Sequence, residues 1–259
     1  MQKKLEQLEA DLKKMGKVAV AYSGGVDSTF LLYEAQKVLG HDAIGIMNVF
    51  PAVSSRAVNS ARAAAQAAGL SVIEISVMSP QLRLNPRDRC YLCKKAMLAE
   101  IKKKAAELQI EQVIDGTIAD DDPQSRPGMV ALEELAVKSP LRDVGLTKQE
   151  IRELSKKAGL TTAEQISGTC LITRIPYGEE ISEEKLKRIE DAEEILFTLG
   201  IKNCRVRAHQ NLARIEVPPA LLDSVLESRN SIIPEFKRIG FNYICLDLEG
   251  YRSGSMDDA

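Results

Sequence analysis

The sequence predicts an α/β protein, a doubly wound and mostly parallel sheet followed by a smaller C-terminal α/β domain. Three observations point there. Short apolar runs rich in β-branched residues alternate with helical periods through residue 117. A glycine-rich turn joins the first of these runs to its helix. Past residue 170 the order changes, with a charged helix preceding two closely spaced strands. The chain has 259 residues, long for one domain and short for two full-sized ones. We therefore assign residues 1–165 to a main domain and 166–259 to a smaller one.

The chain begins with a charged amphipathic helix that sets Leu5, Leu8 and Leu12 on one side. KVAVAY (17–22) reads as a buried parallel strand running into Ser23-Gly24-Gly25. The stretch 28–40 has helical spacing and stops at Gly40. A strand (43–49), a helix (54–69), a strand (70–77), a long helix (roughly 91–109) and a strand (111–117) follow. In the smaller domain a helix (182–199) leads to CRVRAH and LARIEV, joined at Gln210-Asn211 as a hairpin. Helical segments (219–239) and the strand FNYICLDL (241–248) complete it, and a largely antiparallel sheet is expected there. Cys204 and Cys245 lie in apolar strand patterns and are expected in the core.

Composition excludes several classes. A net charge of −2 and a pI near 5.9 count against a dedicated nucleic-acid binder. No run of 18 apolar residues appears, so no membrane span is expected, and the charged N-terminal helix is no signal peptide. A cytoplasmic protein is the expectation, with its five cysteines serving as thiols or ligands.

The motif that carries chemistry is Ser23-Gly24-Gly25-Val26-Asp27-Ser28, between a strand and a helix. Two glycines let the backbone turn and approach an anion closely. Successive N–H groups and the positive end of the next helix favour phosphate. Ser23 and Ser28 offer hydroxyl donors, and Asp27 suggests a bound Mg²⁺ beside the phosphates. The loop lacks both the Gly-Lys-Ser/Thr ending of a Walker loop and the GxGxxG dinucleotide fingerprint. It resembles the SGGxDS loop of the PP-loop ATP pyrophosphatases, with the adenine nucleotide alpha hydrolase-like fold. That resemblance implies cleavage of ATP to AMP and pyrophosphate.

Asp115-Gly116-Thr117 ends a strand and is placed to approach the adenine or ribose, and Arg126 is a weaker nucleotide contact. Cys90 and Cys93 form a C-x-x-C at a helix start beside Arg89, Lys94 and Lys95, a setting that favours thiolate. Cys170 lies in a loop predicted at the domain junction. Arg205 and Arg207 alternate on one strand face about 7 Å apart, a spacing that suits a phosphate.

With these residues, the stretches NPRDRCYLCKK, DGTIADD, RPGMVALEEL, SPLRDVGLTKQEIREL, CLITRIPYG and YRSGSMDD resemble the LarE family over nearly the whole chain. The resemblance implies an ATP-dependent sulfur transferase acting on pyridinium-3,5-biscarboxylic acid mononucleotide, in synthesis of the nickel-pincer nucleotide cofactor. It implies that each carboxylate is adenylated and that sulfur replaces an oxygen. Its iron–sulfur branch implies a 4Fe–4S cluster on Cys90, Cys93 and Cys170; its other branch consumes the cysteine matching Cys170 as sulfur donor. Arg252 matches a third position for the substrate phosphate. Upstream and downstream enzymes of the cofactor's synthesis and a homohexamer are implied as partners. Alternatives are a tRNA-thiolating enzyme with a three-cysteine cluster, an amidating ligase and a non-catalytic nucleotide sensor.

Overall fold

The computed structural model describes residues 1–122, 128–165, 168, 170–252 and 254–256. They pack as two compact units. The first comprises residues Met1–Phe50, Ser55–Pro80 and Asp88–Gly168; the second comprises Pro51–Ser54, Gln81–Arg87 and Thr169–Ala259.

The first unit is built on four parallel strands: β1 (Val18–Ala21), β2 (Ala43–Asn48), β3 (Val72–Ile75) and β4 (Gln112–Asp115). They run in the order β3-β2-β1-β4. Helix α1 (Gln2–Met15) precedes β1, and α2 (Val26–Leu39) follows it. Leu8 and Leu12 of α1 are fully buried, as the amphipathic pattern required. The next helices are α3 (Ser55–Ala67) and α4 (Arg89–Glu107). Beyond β4 come α5 (Met129–Glu134), α6 (Pro140–Asp143) and α7 (Lys148–Lys157).

Strand alternation assigns the two sheet faces. Ala19, Ile46 and Val113 pack with Leu98, Ile101 and Ala105 of α4 and with Met129, Ala131 and Leu132 of α5. The opposite face takes α2 so closely that a Cβ on Gly45 would lie 2.7 Å from the Leu32 side chain. Helices on both faces make the unit an α/β sandwich, in agreement with the sequence expectation. The helix after the glycine-serine loop starts at Val26, two residues before the apolar period declares itself.

In the second unit, α8 (Glu183–Thr198) covers β5 (Arg205–His209), which pairs antiparallel with β6 (Leu212–Glu216) across the Gln210-Asn211 turn. Helices α9 (Leu222–Glu227) and α10 (Arg229–Arg238) lead to β7 (Tyr243–Leu246). The expected largely antiparallel sheet is mixed, because β7 pairs parallel with β6. Two intervening helices form a crossover, which returns the chain in its original direction where a tight turn would reverse it. Cys204 is buried as expected, but Cys245 is exposed. β7 is an edge strand whose Tyr243 and Cys245 share an uncovered face. The segment 81–87 belongs to this unit through Asn85, whose buried amide donates to the Ile175 and Pro176 carbonyls, 2.8 Å each.

Candidate active site

Strand order decides where a ligand can enter the first unit. The chain leaves β1 toward β2 on one side, whereas β4 lies on the other. The connections therefore diverge at the carboxyl ends of β1 and β4, the switch point at which open α/β sheets bind ligands. Ala21 and Asp115 are register partners there, so Ser23–Ser28 and Asp115–Thr117 both leave the sheet at this crevice. The two stretches touch: a Cβ on Gly116 would lie 3.0 Å from the Ser28 nitrogen and 3.1 Å from its Cα.

The loop's geometry follows from its residues. Gly24 has φ +76°, and a Cβ there would come within 2.2 Å of the Ala61 Cβ. Only glycine fits both the turn and the approach of α3. Gly25 is the extended N-cap of α2, which puts Val26, Asp27 and Ser28 in the first helical turn. The Ser23 and Ser28 hydroxyls lie 3.0 Å apart, and the Ser28 hydroxyl accepts from the Ser23 N–H at 3.2 Å. The predicted serine donors thus form one small hydrogen-bonded group at the helix's positive end.

Asp27, the expected Mg²⁺ ligand, accepts from Lys148 Nζ at Oδ2, 2.5 Å. Asp115 is 6% exposed and its carboxylate is densely bonded. It accepts from Thr117 Oγ1 (2.7 Å), the Thr117 N–H (3.2 Å), Ser139 Oγ (2.7 Å) and Lys94 Nζ (3.1 Å). Its side chain therefore shapes the end of β4, and Lys94 ties α4 to it.

Cys90 and Cys93 lie one helical turn apart at the start of α4, the first exposed and the second half-buried. Two of the cations read as their neighbours have other partners. Lys94 pairs with Asp115, while Lys95 pairs with Glu134 at 2.7 Å. Among the described residues, no group of three His, Cys, Asp or Glu side chains is assembled to hold a metal. Arg126 lies outside the described residues.

In the second unit, Cys170 caps a 3₁₀ turn, Leu171–Arg174. Its carbonyl accepts from Thr173 Oγ1 (2.7 Å), the Thr173 N–H (3.1 Å) and Arg174 Nη1 (3.1 Å). Arg174 is buried and grips Glu193 of α8, whose carboxylate also accepts from the Val206 N–H of β5. Arg207 is 5% exposed. It donates to Glu216 Oε2 through Nε (2.9 Å) and Nη2 (2.6 Å), to the Thr173 carbonyl (2.9 Å) and to Ser255 Oγ (3.1 Å). Glu216 is fully buried and also accepts from Arg214 and Ser255.

Arg205 lies over the Tyr251 ring, 5.2 Å from its centroid, and half-exposed Arg252 pairs with Glu249 at 2.5 Å. The C-terminal segment thus brings Tyr251 to Arg205 and Ser255 to Arg207. Sequence reading singled out neither Arg174, Glu193, Glu216 nor Lys148. Their signal was faint: charged residues inside otherwise apolar or helical patterns, with partners far along the chain.

These features define an α/β protein with a glycine-serine loop at the switch point of a parallel sheet. No protein-family model matches the chain. It is 31% identical to the pyridinium-3,5-bisthiocarboxylic acid mononucleotide synthase of Lactiplantibacillus plantarum, over 97% of this chain and 92% of that protein. The chain belongs to the LarE family of such synthases. Two uncharacterised proteins are similar throughout. One from Synechocystis sp. is 38% identical over 99% of this chain and 98% of its own. One from Methanocaldococcus jannaschii is 35% identical over 97% and 98% respectively. No helix among the described residues is long and apolar enough to cross a membrane.

Proposed function

We propose that this protein is an ATP-dependent sulfur transferase of the PP-loop type. It converts the carboxylates of pyridinium-3,5-biscarboxylic acid mononucleotide to thiocarboxylates for the nickel-pincer cofactor. The observation that supports this reading is the Ser23–Ser28 loop at the β1/β4 switch point, in a chain alike end to end to a named synthase. In this reading a substrate carboxylate oxygen attacks the α-phosphorus of ATP and pyrophosphate leaves. A sulfur nucleophile then attacks the acyl carbon of the adenylate and AMP leaves.

The chain's own residues hold the reactants. Gly24 and Gly25 bring backbone N–H groups to the β- and γ-phosphates, and Ser23 and Ser28 turn their hydroxyls to them. Val26 lies in the same turn. Asp115, Gly116 and Thr117 line the nucleoside end, and Arg126, outside the described residues, is proposed as a further nucleotide contact. The Asp27 carboxylate, a hard oxygen donor at the phosphate loop, fits Mg²⁺, which would neutralise the departing pyrophosphate. Arg205, Arg207 and Arg252 receive the phosphate of the substrate mononucleotide, with Arg205 and Arg252 the more accessible of the three.

Cys90, Cys93 and Cys170 are proposed as ligands of a 4Fe–4S cluster. Their chemistry suits it as three thiolates that leave one iron open. Among the described residues no three-ligand metal group is assembled. The enzyme would work in the cytoplasm as a homo-oligomer, between enzymes that make its substrate and use its product. Anaerobic reconstitution, iron and sulfide analysis, and intact mass before and after turnover test the sulfur chemistry. Bound iron with Cys170 unchanged is expected. Dehydroalanine at Cys170 without bound iron would instead make that cysteine the sulfur donor.

A further inference from the structure

Lys148 stands 121 residues from Asp27 in sequence, yet its ammonium is 2.5 Å from Asp27 Oδ2. Its placement is costly unless the charge is used. Lys148 is the first residue of α7, where a cation opposes the helix dipole. Its backbone is fixed nonetheless. The Lys148 N–H donates to Asp120 Oδ2 at 2.6 Å, and Thr147 and Glu150 form a reciprocal capping box around it. Asp120 follows β4, and the Ala119 N–H donates to the Leu146 carbonyl at 3.0 Å, so the chain beyond β4 and the start of α7 are pinned together. The lysine stem therefore starts from a rigid point and ends at the second residue of α2, beside Gly25 and Ser28.

We propose that Lys148 is a phosphate ligand of the loop, exchanging the Asp27 carboxylate for nucleotide phosphate when a divalent cation binds that carboxylate. This rests on the nucleotide reading given above. A metal ion and an ammonium cannot share one carboxylate oxygen at contact distance without strong like-charge repulsion. The metal, carrying twice the charge and preferring oxygen ligands, displaces the lysine. The displaced ammonium keeps three N–H donors within a side chain's reach of the loop, and the β,γ-phosphates supply acceptors there.

The test is calorimetric titration of the full chain with magnesium pyrophosphate, and separately with Mn²⁺ alone, for wild type, Lys148→Met and Lys148→Arg. The half-exposed lysine should tolerate both changes, and equal melting temperatures check this. Lys148→Met should bind magnesium pyrophosphate about ten- to a hundredfold more weakly, and Lys148→Arg should recover most of the loss. The same Lys148→Met protein should bind Mn²⁺ alone more tightly than wild type, because the competing cation is gone. Unchanged pyrophosphate binding in Lys148→Met, or parallel loss of Mn²⁺ and pyrophosphate binding, would overturn the inference and leave the nucleotide loop standing. Failure of the wild type to bind magnesium pyrophosphate would overturn both.

Discussion

Arg174 grips both carboxylate oxygens of Glu193, with Nε at 2.9 Å and Nη2 at 3.3 Å, while Nη1 holds the Cys170 carbonyl at 3.1 Å. The turn that presents Cys170 is thereby fastened to α8. The arginine side chain is only 3% exposed. Glu193→Ala should therefore remove the carboxylate that the buried guanidinium and the Val206 N–H both use, and cost about 3–5 kcal/mol in urea unfolding. A loss below about 0.5 kcal/mol would mean the pair does not hold this turn.

Arg207 and Arg252 should respond differently to truncation, although sequence reading grouped them. Arg207→Ala takes both donors from Oε2 of the fully buried Glu216, leaving Arg214 and Ser255 on Oε1, and should cost about 1–3 kcal/mol of stability, whatever it does to substrate binding. Arg252 is half-exposed, and Arg252→Ala should change stability by no more than about 0.5 kcal/mol. Any weakening of mononucleotide binding in Arg252→Ala then reports on the phosphate itself. Denaturation curves beside substrate titrations separate the two, and equal stability losses would contradict the contrast.

The parts of this molecule legible in sequence are those specified locally. The strand VAVA, the double glycine and the following apolar period fix the loop within a dozen or so residues, so its place needed no long-range information. The alternation Arg205-Val206-Arg207 correctly set both arginines on one strand face. It could not reveal that Glu216, on the neighbouring strand, engages only the second. Lys148 and Asp27 meet because α7 packs on α2, a tertiary fact without local trace. Cys245 misled for a related reason: an apolar strand pattern does not say which strand lies at the edge of its sheet. The direction of β7 was hidden likewise, since the helices before it could end in either pairing.

The two loop glycines are not equivalent. Gly24→Ala forces a left-handed backbone on alanine and overlaps Ala61, and should cost roughly 2 kcal/mol or more. Gly25→Ala meets nothing closer than the Ser23 hydroxyl at 3.5 Å and should stay within about 0.5 kcal/mol. Thermal unfolding of the two variants checks the order.

Acid should weaken the link between α1 and α7. Lys4 donates to both oxygens of Glu150, and this hydrogen bond, with that from the Thr147 backbone, pulls the Glu150 carboxyl from 4.5 down to about 2. A carboxyl lowered on folding contributes stability above its unfolded value and loses it as pH falls from 4.5 toward 2. Lys4→Met should thus cost at most about 1 kcal/mol at neutral pH. The gap from wild type should close in denaturation curves at the acid end. A constant gap would assign the effect to packing.

In the proposed function the Ser23–Ser28 loop positions ATP for attack at its α-phosphorus. The most direct measurement is chromatographic analysis of the nucleotide products after incubation with magnesium ATP and pyridinium-3,5-biscarboxylic acid mononucleotide, in wild type and Asp27→Ala. The account predicts AMP and pyrophosphate in equal amounts from the wild type, dependent on the mononucleotide, and neither from Asp27→Ala. ADP and phosphate as products, or full activity in Asp27→Ala, would contradict it.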